Sequence, residues 1–286
     1  MIGIVVDSGC DLPEEMKAKK HVRVIPLKVV LDGKEYRDNI EITTEHLIEY
    51  MQEKFPKTSL PGYADIAQAF EGLLNEGINE IVFVGISSGL SGTFGQVRGC
   101  ADDLMKKHKD LSIRLIDSNN ISIGSGLIAM RGIEVSEEGA SLDEVVKAVE
   151  DAKSKSKVFF CIPVLKFLKA GGRIGKVTAT IGDILDLKPV ITVGEDGIYH
   201  SVSKERGMKR AVKSTVGRIV QYVSDKKIRY VAAYTSDKSE KSMEFFHMIM
   251  ETLESHGITK VISGQISQSL FCHTGPGLIG LAALTE

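Results

Sequence analysis

The sequence predicts an α/β domain with a mostly parallel sheet over residues 1–156, followed by an α+β domain over residues 157–286. Three observations carry this expectation. The first half alternates β-branched runs with amphipathic helical stretches, the pattern of strands joined by crossover helices. The second half holds a hairpin and two long helices, which suits an α+β unit with helices on one face. Between them, Ala152-Lys153-Ser154-Lys155-Ser156-Lys157 is polar and aperiodic, as a boundary should be.

The elements follow in order. Gly3 to Asp7 is a β-branched strand, and Pro13 opens a short helix at its first turn. Val22 onward reads as a strand pair or one long strand, turning at Asp32-Gly33. Thr43 or Thr44 caps a helix with Leu47, Ile48 and Met51 on one face. A helix from about Tyr63 to Glu76 aligns Ile66, Phe70, Leu73 and Leu74, and Gly77 suits its C-terminus. Strands are expected at Ile81–Ile86 and from Ser112, with a helix to about His108 between them and an apolar helix after Ile123. Ser141-Leu142-Asp143-Glu144 is a capping box. In the second half, Val158–Pro163 reads as a strand and Lys169–Lys176 as a glycine turn. Lys188–Val193 and Gly197–Val202 form a hairpin around Gly194–Gly197. Helices are expected near 207–224 and 238–254, with strands from Arg229 and Lys260.

Bulk composition excludes several classes. Of 286 residues, 43% are hydrophobic and 26% charged, an ordinary globular balance able to bury a core without staples. The net charge of -2 offers no footprint for nucleic acid. No apolar run reaches the roughly 18 residues of a membrane span, and the N-terminus lacks signal-peptide character. The four separated cysteines form no C-x-x-C pair, so free buried thiols in a reducing cytoplasm are expected rather than a zinc site or disulfides.

The stretch GISSGLSGTFG, Gly85 to Gly95, raises the central question. Gly85-Ile86-Ser87-Ser88-Gly89 matches the G-x-S-x-G nucleophile elbow and follows a strand, and His273 lies late in the chain as a hydrolase order requires. Against an elbow, Leu90-Ser91-Gly92 separate Ser87 from the helix, and no upstream oxyanion loop exists. The competing reading is an anion cradle: Ser91, Gly92 and Thr93 stand at a helix start, where free N–H groups and the dipole favour a carboxylate or phosphate. A serine there also simply caps its own helix. Lys57-Thr58-Ser59 is a second hydroxyl cluster, in itself an ordinary N-cap turn. His273-Thr274-Gly275-Pro276-Gly277 reads as a shaped turn. Asp7 and Ser8 end the first strand, which puts them at the same rim as Ser91.

Seven segments in order resemble the DegV family of fatty-acid-binding proteins. They are VVDSGCDLP, PKTSLP, GISSGLSGTF, LIDSNN, LKFLKAGGRIGK, LKPVITV and HTGPGLIGL, and they span nearly the whole chain. The resemblance implies a Rossmann-like N-terminal domain, an α+β C-terminal domain and a long-chain fatty acid between them, with no cofactor. It implies that Ser91, together with Ser59 or Thr58, holds the carboxylate, flanked by Gly92 and Thr93, and that His273 joins the same hydrogen-bond network. It further implies an acyl-carrying subunit, itself no enzyme, that serves a dihydroxyacetone-kinase-like ATP-binding partner, with Arg173 and Arg206 near the partner surface. Transient membrane contact is compatible with that role; nucleic acid is not a partner. Leu60 and Cys10 depart from the family pattern without removing a carboxylate donor. Hydroxyls suit the task, because they meet a buried carboxylate without a fixed cation that would lock it against phosphorylation. Leu127, Ile128 and Met130, and the run Ile181, Ile184 and Leu185, are candidates to line the tail's tunnel. The alternative is a serine hydrolase of acyl esters using Ser87 or Ser91 with His273.

Overall fold

The computed structural model describes residues 1–180 and 186–286; Ile181, Ile184 and Leu185 lie outside them. The chain opens with β1 (Gly3–Asp7), a 3-10 turn at Ser8–Cys10 and the single turn α1 (Glu14–Lys17). β2 (Val22–Ile25) returns parallel to β1. β3 (Lys28–Leu31) and β4 (Lys34–Arg37) then form a hairpin whose turn, Asp32-Gly33, has φ of 49° and 85°. That mirror-image turn matches the twist of paired strands and favours Asp-Gly. The short α2 (Thr44–Tyr50) is capped by Thr43, whose hydroxyl accepts from the His46 N–H.

Lys57–Ser59 is a strand, β5, rather than an N-cap turn: it pairs with β3 and completes a small antiparallel sheet. The pairing captures backbone groups that a turn would have left to water. α3 (Tyr63–Asn75), β6 (Glu80–Gly85), α4 (Thr93–Lys107) and β7 (Ser112–Asp117) follow. The parallel sheet has the order β2-β1-β6-β7. Its outer face packs on α3 and α4 through Phe70, Leu73, Val97 and Leu104. Its inner face packs on α5 (Ile123–Glu137), with α6 (Leu142–Lys155) alongside and capped by the expected box at Ser141 and Glu144.

The second half forms a six-stranded sheet from β8 (Ser156–Cys161), β9 (Leu187–Val193), β10 (Tyr199–Arg206), β11 (Ile228–Thr235), β12 (Val261–Gln265) and β13 (Ile279–Thr285). Between β8 and β9 lies α7 (Lys166–Ala170). α8 (Met208–Val223) and α9 (Glu240–Ser255) cover one face through Val216, Ile219, Ile249 and Leu253. The other face meets α5, so Ile4, Val84, Leu127, Phe160 and Ala282 share one apolar cluster. The sequence reading missed β13, which lies between β8 and β11 and is buried along its full length. A strand buried on both faces is a continuous apolar run without alternation. His273 also differs from expectation: it ends the helix α10 (Gln268–Thr274), and the tight turn begins at Gly275.

Three carboxyl groups are buried near the junction. Asp7 accepts from the Ile86 N–H at 2.9 Å. Asp11 accepts from the Ser122 hydroxyl at 2.5 Å and the Ser267 N–H at 2.8 Å. Asp38 accepts from the hydroxyls of Ser8 at 2.7 Å and Ser269 at 2.5 Å. Burial raises all three, and Asp7 and Asp11 reach about 7. An acid protonated in the native state but ionised in the unfolded chain makes folding less favourable as pH rises from about 4 to about 7. Each of Asp7 and Asp11 therefore contributes up to about 1.4 kcal/mol of lost stability per pH unit in that window. An amide at position 11 mimics the protonated acid. Asp11→Asn should equal or exceed the wild type in stability above pH about 7, and lose that advantage near pH 5; urea midpoints across the range measure it.

Candidate functional site

The loops after β2, β6 and β7 and the segments around β5, α7, β10 and α10 converge on two adjoining chambers. One chamber is polar at its end, where Thr58, Ser91, Arg173, Ser269 and His273 meet over a wall of Leu27, Ile86, Leu90 and Leu270. A second, apolar chamber shares Ile121, Tyr199 and Leu270 with the first and continues to Phe160, Tyr234, Ile266 and Gly280. The chambers are narrow, with cavity volumes of about 40 and 30 Å³.

At the polar end the His273 Nε2 lies 2.9 Å from the Thr58 hydroxyl. Its Nδ1 is buried and has no partner among the described residues. Burial, and then the neighbouring Arg173 charge, hold His273 down at about 4, so the ring is neutral at pH 7. A buried N–H without an acceptor is the costlier orphan, so the proton belongs on Nε2. Nε2–H then donates to Thr58, and the Thr58 O–H is free to donate into the cavity. Ser91 has the same freedom. Its oxygen accepts from the Thr93 N–H at 3.3 Å and lies 2.8 Å from the Thr93 hydroxyl. Donation by Thr93 leaves the Ser91 O–H unspent. Ser91 thus stands two residues before the first residue of α4, just ahead of Gly92, which takes the N-cap position.

Other expected residues divide. Ser59 also borders the polar chamber, and its hydroxyl donates to Glu35 at 2.8 Å. Adjacent strand residues face opposite ways, so of the Thr58/Ser59 pair only Thr58 offers its side chain to His273. Arg173 is half-buried in the cavity wall, donating to the carbonyls of Leu90 at 3.2 Å and Gly171 at 2.6 Å. A cation therefore does stand at the polar end, contrary to the expectation of hydroxyls alone. Arg206 is exposed at the end of β10 and lines neither chamber. Leu127, Ile128 and Met130 are core residues; the wall is built by Ile121, Ser122 and Ile123 just before them. Asp7 and Ser8 are buried supports, not rim ligands. Among the described residues no cluster of metal-ligating side chains exists, no helix is long and apolar enough to cross a membrane, and all four cysteines are free and buried.

The elbow reading fails on geometry. Ser87 is fully buried and donates to the Gly197 carbonyl at 2.7 Å, in the turn between β9 and β10. A Cβ on Gly89 would lie 2.8 Å from the same carbonyl. The G-x-S-x-G sequence is a socket for that turn, and His273 serves Thr58 instead of a serine nucleophile. Gly171 was legible only as a turn residue, yet it shapes the site: a Cβ there would meet His273 Nδ1 at 2.1 Å.

The DegV family model, described as "Uncharacterised protein, DegV family", matches residues 1–286. A DegV domain-containing protein of Clostridium acetobutylicum is 32% identical, over 100% of this chain and 99% of its own. A solved structure described as fatty acid binding of a DegV family protein from Thermus thermophilus has a TM-score of 0.88 at 30% identity, covering 100% of this chain and 99% of that one. A stearic acid-binding protein from Eubacterium ventriosum also has a TM-score of 0.88, at 28% identity, covering 100% and 98%.

Gly171→Ala tests how tightly the site is held. The methyl must displace the imidazole, an overpacking cost of about 1–3 kcal/mol, read as a lower thermal midpoint. The His273 ring, followed by NMR, should at the same time move from about 4 toward its ordinary value.

Proposed function

Because the chain belongs to the DegV family, we propose that it binds a long-chain fatty acid in the joined chambers and presents the carboxylate to a separate kinase. The observation that carries this reading is a pair of chambers of opposite character that share Ile121, Tyr199 and Leu270 in their walls. Three groups with donors to spare, Thr58, Ser91 and Arg173, gather at one end, and the far end is lined by aromatic and aliphatic side chains. Such a gradient suits an amphiphile with a single charged head. The narrowness suits a polymethylene chain better than a ring system. Burying a methylene stabilises by roughly 0.8 kcal/mol, so about 14 of them give on the order of 11 kcal/mol before ordering costs.

The head is held by neutral donors and one peripheral cation. Thr58 and Ser91 direct hydroxyls at the carboxylate, and Arg173 balances its charge from the wall. In this reading phosphoryl transfer is the work of a separate ATP-binding subunit similar to dihydroxyacetone kinases. Arg206, exposed beside the same half of the molecule, is assigned to contact with that subunit. This role places the protein in the cytoplasm.

The test begins with organic extraction of the purified protein and mass spectrometry of the extract. About one free fatty acid per chain is expected; an empty extract, with no uptake of added fatty acid, overturns the reading. Thr58→Ala and Ser91→Ala should each weaken binding by about 10- to 100-fold, the loss of one hydrogen bond to a charged group of about 1.5–3 kcal/mol; Ser91→Ala should leave the thermal midpoint of the empty protein nearly unchanged, whereas Thr58→Ala should also lower it, because the buried His273 Nε2–H loses its acceptor. Competition with a fluorescent fatty acid measures the change.

A further inference from the structure

We infer that Gly280 sets the length of acyl chain this protein accepts; the inference rests on the fatty-acid reading and adds the residue that gauges the tail. Gly280 lies inside β13, directly opposite Phe160 of β8 on one side and Tyr234 of β11 on the other. Directly paired residues in a sheet point to the same face. The row therefore runs aromatic, glycine, aromatic, with both rings flanking a position that has no side chain. All three residues line the apolar chamber, remote from the polar end.

Nothing in the backbone demands glycine there. Gly280 is absent from the positions with positive φ. A Cβ built on it would make ordinary contacts: 3.4 Å to the Phe160 Cβ, 3.6 Å to Leu278 Cδ2 and 3.9 Å to the Phe159 carbonyl. Other glycines here have plain reasons. A Cβ on Gly275 would strike the Phe167 ring at 2.3 Å, and one on Gly264 the Tyr234 ring at 2.7 Å. Glycine inside a strand gives up stability relative to alanine, because it loses more freedom on folding. At Gly280 that loss leaves a groove in the chamber floor between two rings. The tail's terminal methylenes occupy it, and any side chain at position 280 takes their place.

The experiment uses the full chain and a ladder of saturated fatty acids from twelve to twenty carbons, in equal amounts, with the bound fraction identified by mass spectrometry. Gly280→Ala should move the preferred length down by about one or two carbons while raising the thermal midpoint of the empty protein. Gly280→Val should raise discrimination against the longest bound acid by about tenfold or more, the usual effect of a methylene-sized clash in an apolar pocket. Phe160→Leu, which widens the same floor, should move the preference upward. If Gly280→Ala and Phe160→Leu bind fatty acid with the wild-type length profile, the inference is overturned. Failure of the wild type to take up any acid overturns the fatty-acid reading itself and this inference with it, so the two failures are separable. Should Gly280→Val not fold, Gly280→Ala and Phe160→Leu decide.

Discussion

A cavity between two sheets cannot be held open by its own packing, because an unfilled space offers its lining atoms no partners on one side. Its walls have to be fixed from behind, and here buried carboxyl groups do this. Asp11, in the loop after β1, binds Ser122 at the head of α5 and Ser267 beside α10, and its carbonyl accepts from the Tyr234 hydroxyl at 3.1 Å. Asp38, just beyond β4, ties Ser8 to Ser269. Ser122, Ser269 and Tyr234 are themselves cavity residues. The walls are thus joined by groups whose removal from the network would leave buried polar atoms unpaired, which is far costlier than their net contribution when paired. Burial raises both carboxyl groups, which favours their neutral form in this network and limits the expense of buried charge.

The same logic explains the serine-rich turn after β6. Ser87 pins the turn at Gly197, two residues before Tyr199, and Tyr199 is shared by both chambers. Phe160 packs edge-on to the Tyr199 ring with centroids 5.3 Å apart. A hydrogen bond across the junction therefore fixes the aromatic residue at the neck of the cavity. Four residues after Ser87, Ser91 faces the polar end. One short sequence holds the wall in place with its first serine and offers a donor to a ligand with its last. A pattern match to a nucleophile motif could not separate these roles, because both need small residues after a buried strand.

Much of this architecture is legible in the sequence. Alternating strands and helices announced the parallel sheet, the capping box at Ser141 and Glu144 fixed the start of α6, and Asp32-Gly33 marked the hairpin. Thr58, Ser59, Ser91 and His273 stand out in the sequence and all border one chamber. What stayed hidden depended on partners distant in the chain. β5 looks like a turn until β3 pairs with it. The apolar run from Ile279 to Leu284 carries no periodicity, because it is covered on both faces. Arg173 follows a glycine pair that suggests an exposed loop, yet Leu90 and Gly171 draw its guanidinium inward. Ser59 and Thr58 are equivalent in sequence, and only strand alternation tells them apart.

Arg173 and His273 together change the electrostatic account of the polar end. A protonated imidazole beside a guanidinium would make two adjacent cations, and a carboxylate paired with both would be hard to release. Burial and the Arg173 charge keep His273 neutral, so its one N–H donates a hydrogen bond to the Thr58 hydroxyl and orients it instead of adding charge. The net field on an incoming carboxylate is then that of one cation, already partly spent on the carbonyls of Leu90 and Gly171, plus two neutral donors. That arrangement is strong enough to offset desolvation of a carboxylate. It is also weak enough to leave an oxygen able to act as a nucleophile, which a bidentate guanidinium pairing would suppress. The proposed role of presenting a carboxylate to chemistry performed elsewhere would require this compromise, and the neutral imidazole is what maintains it.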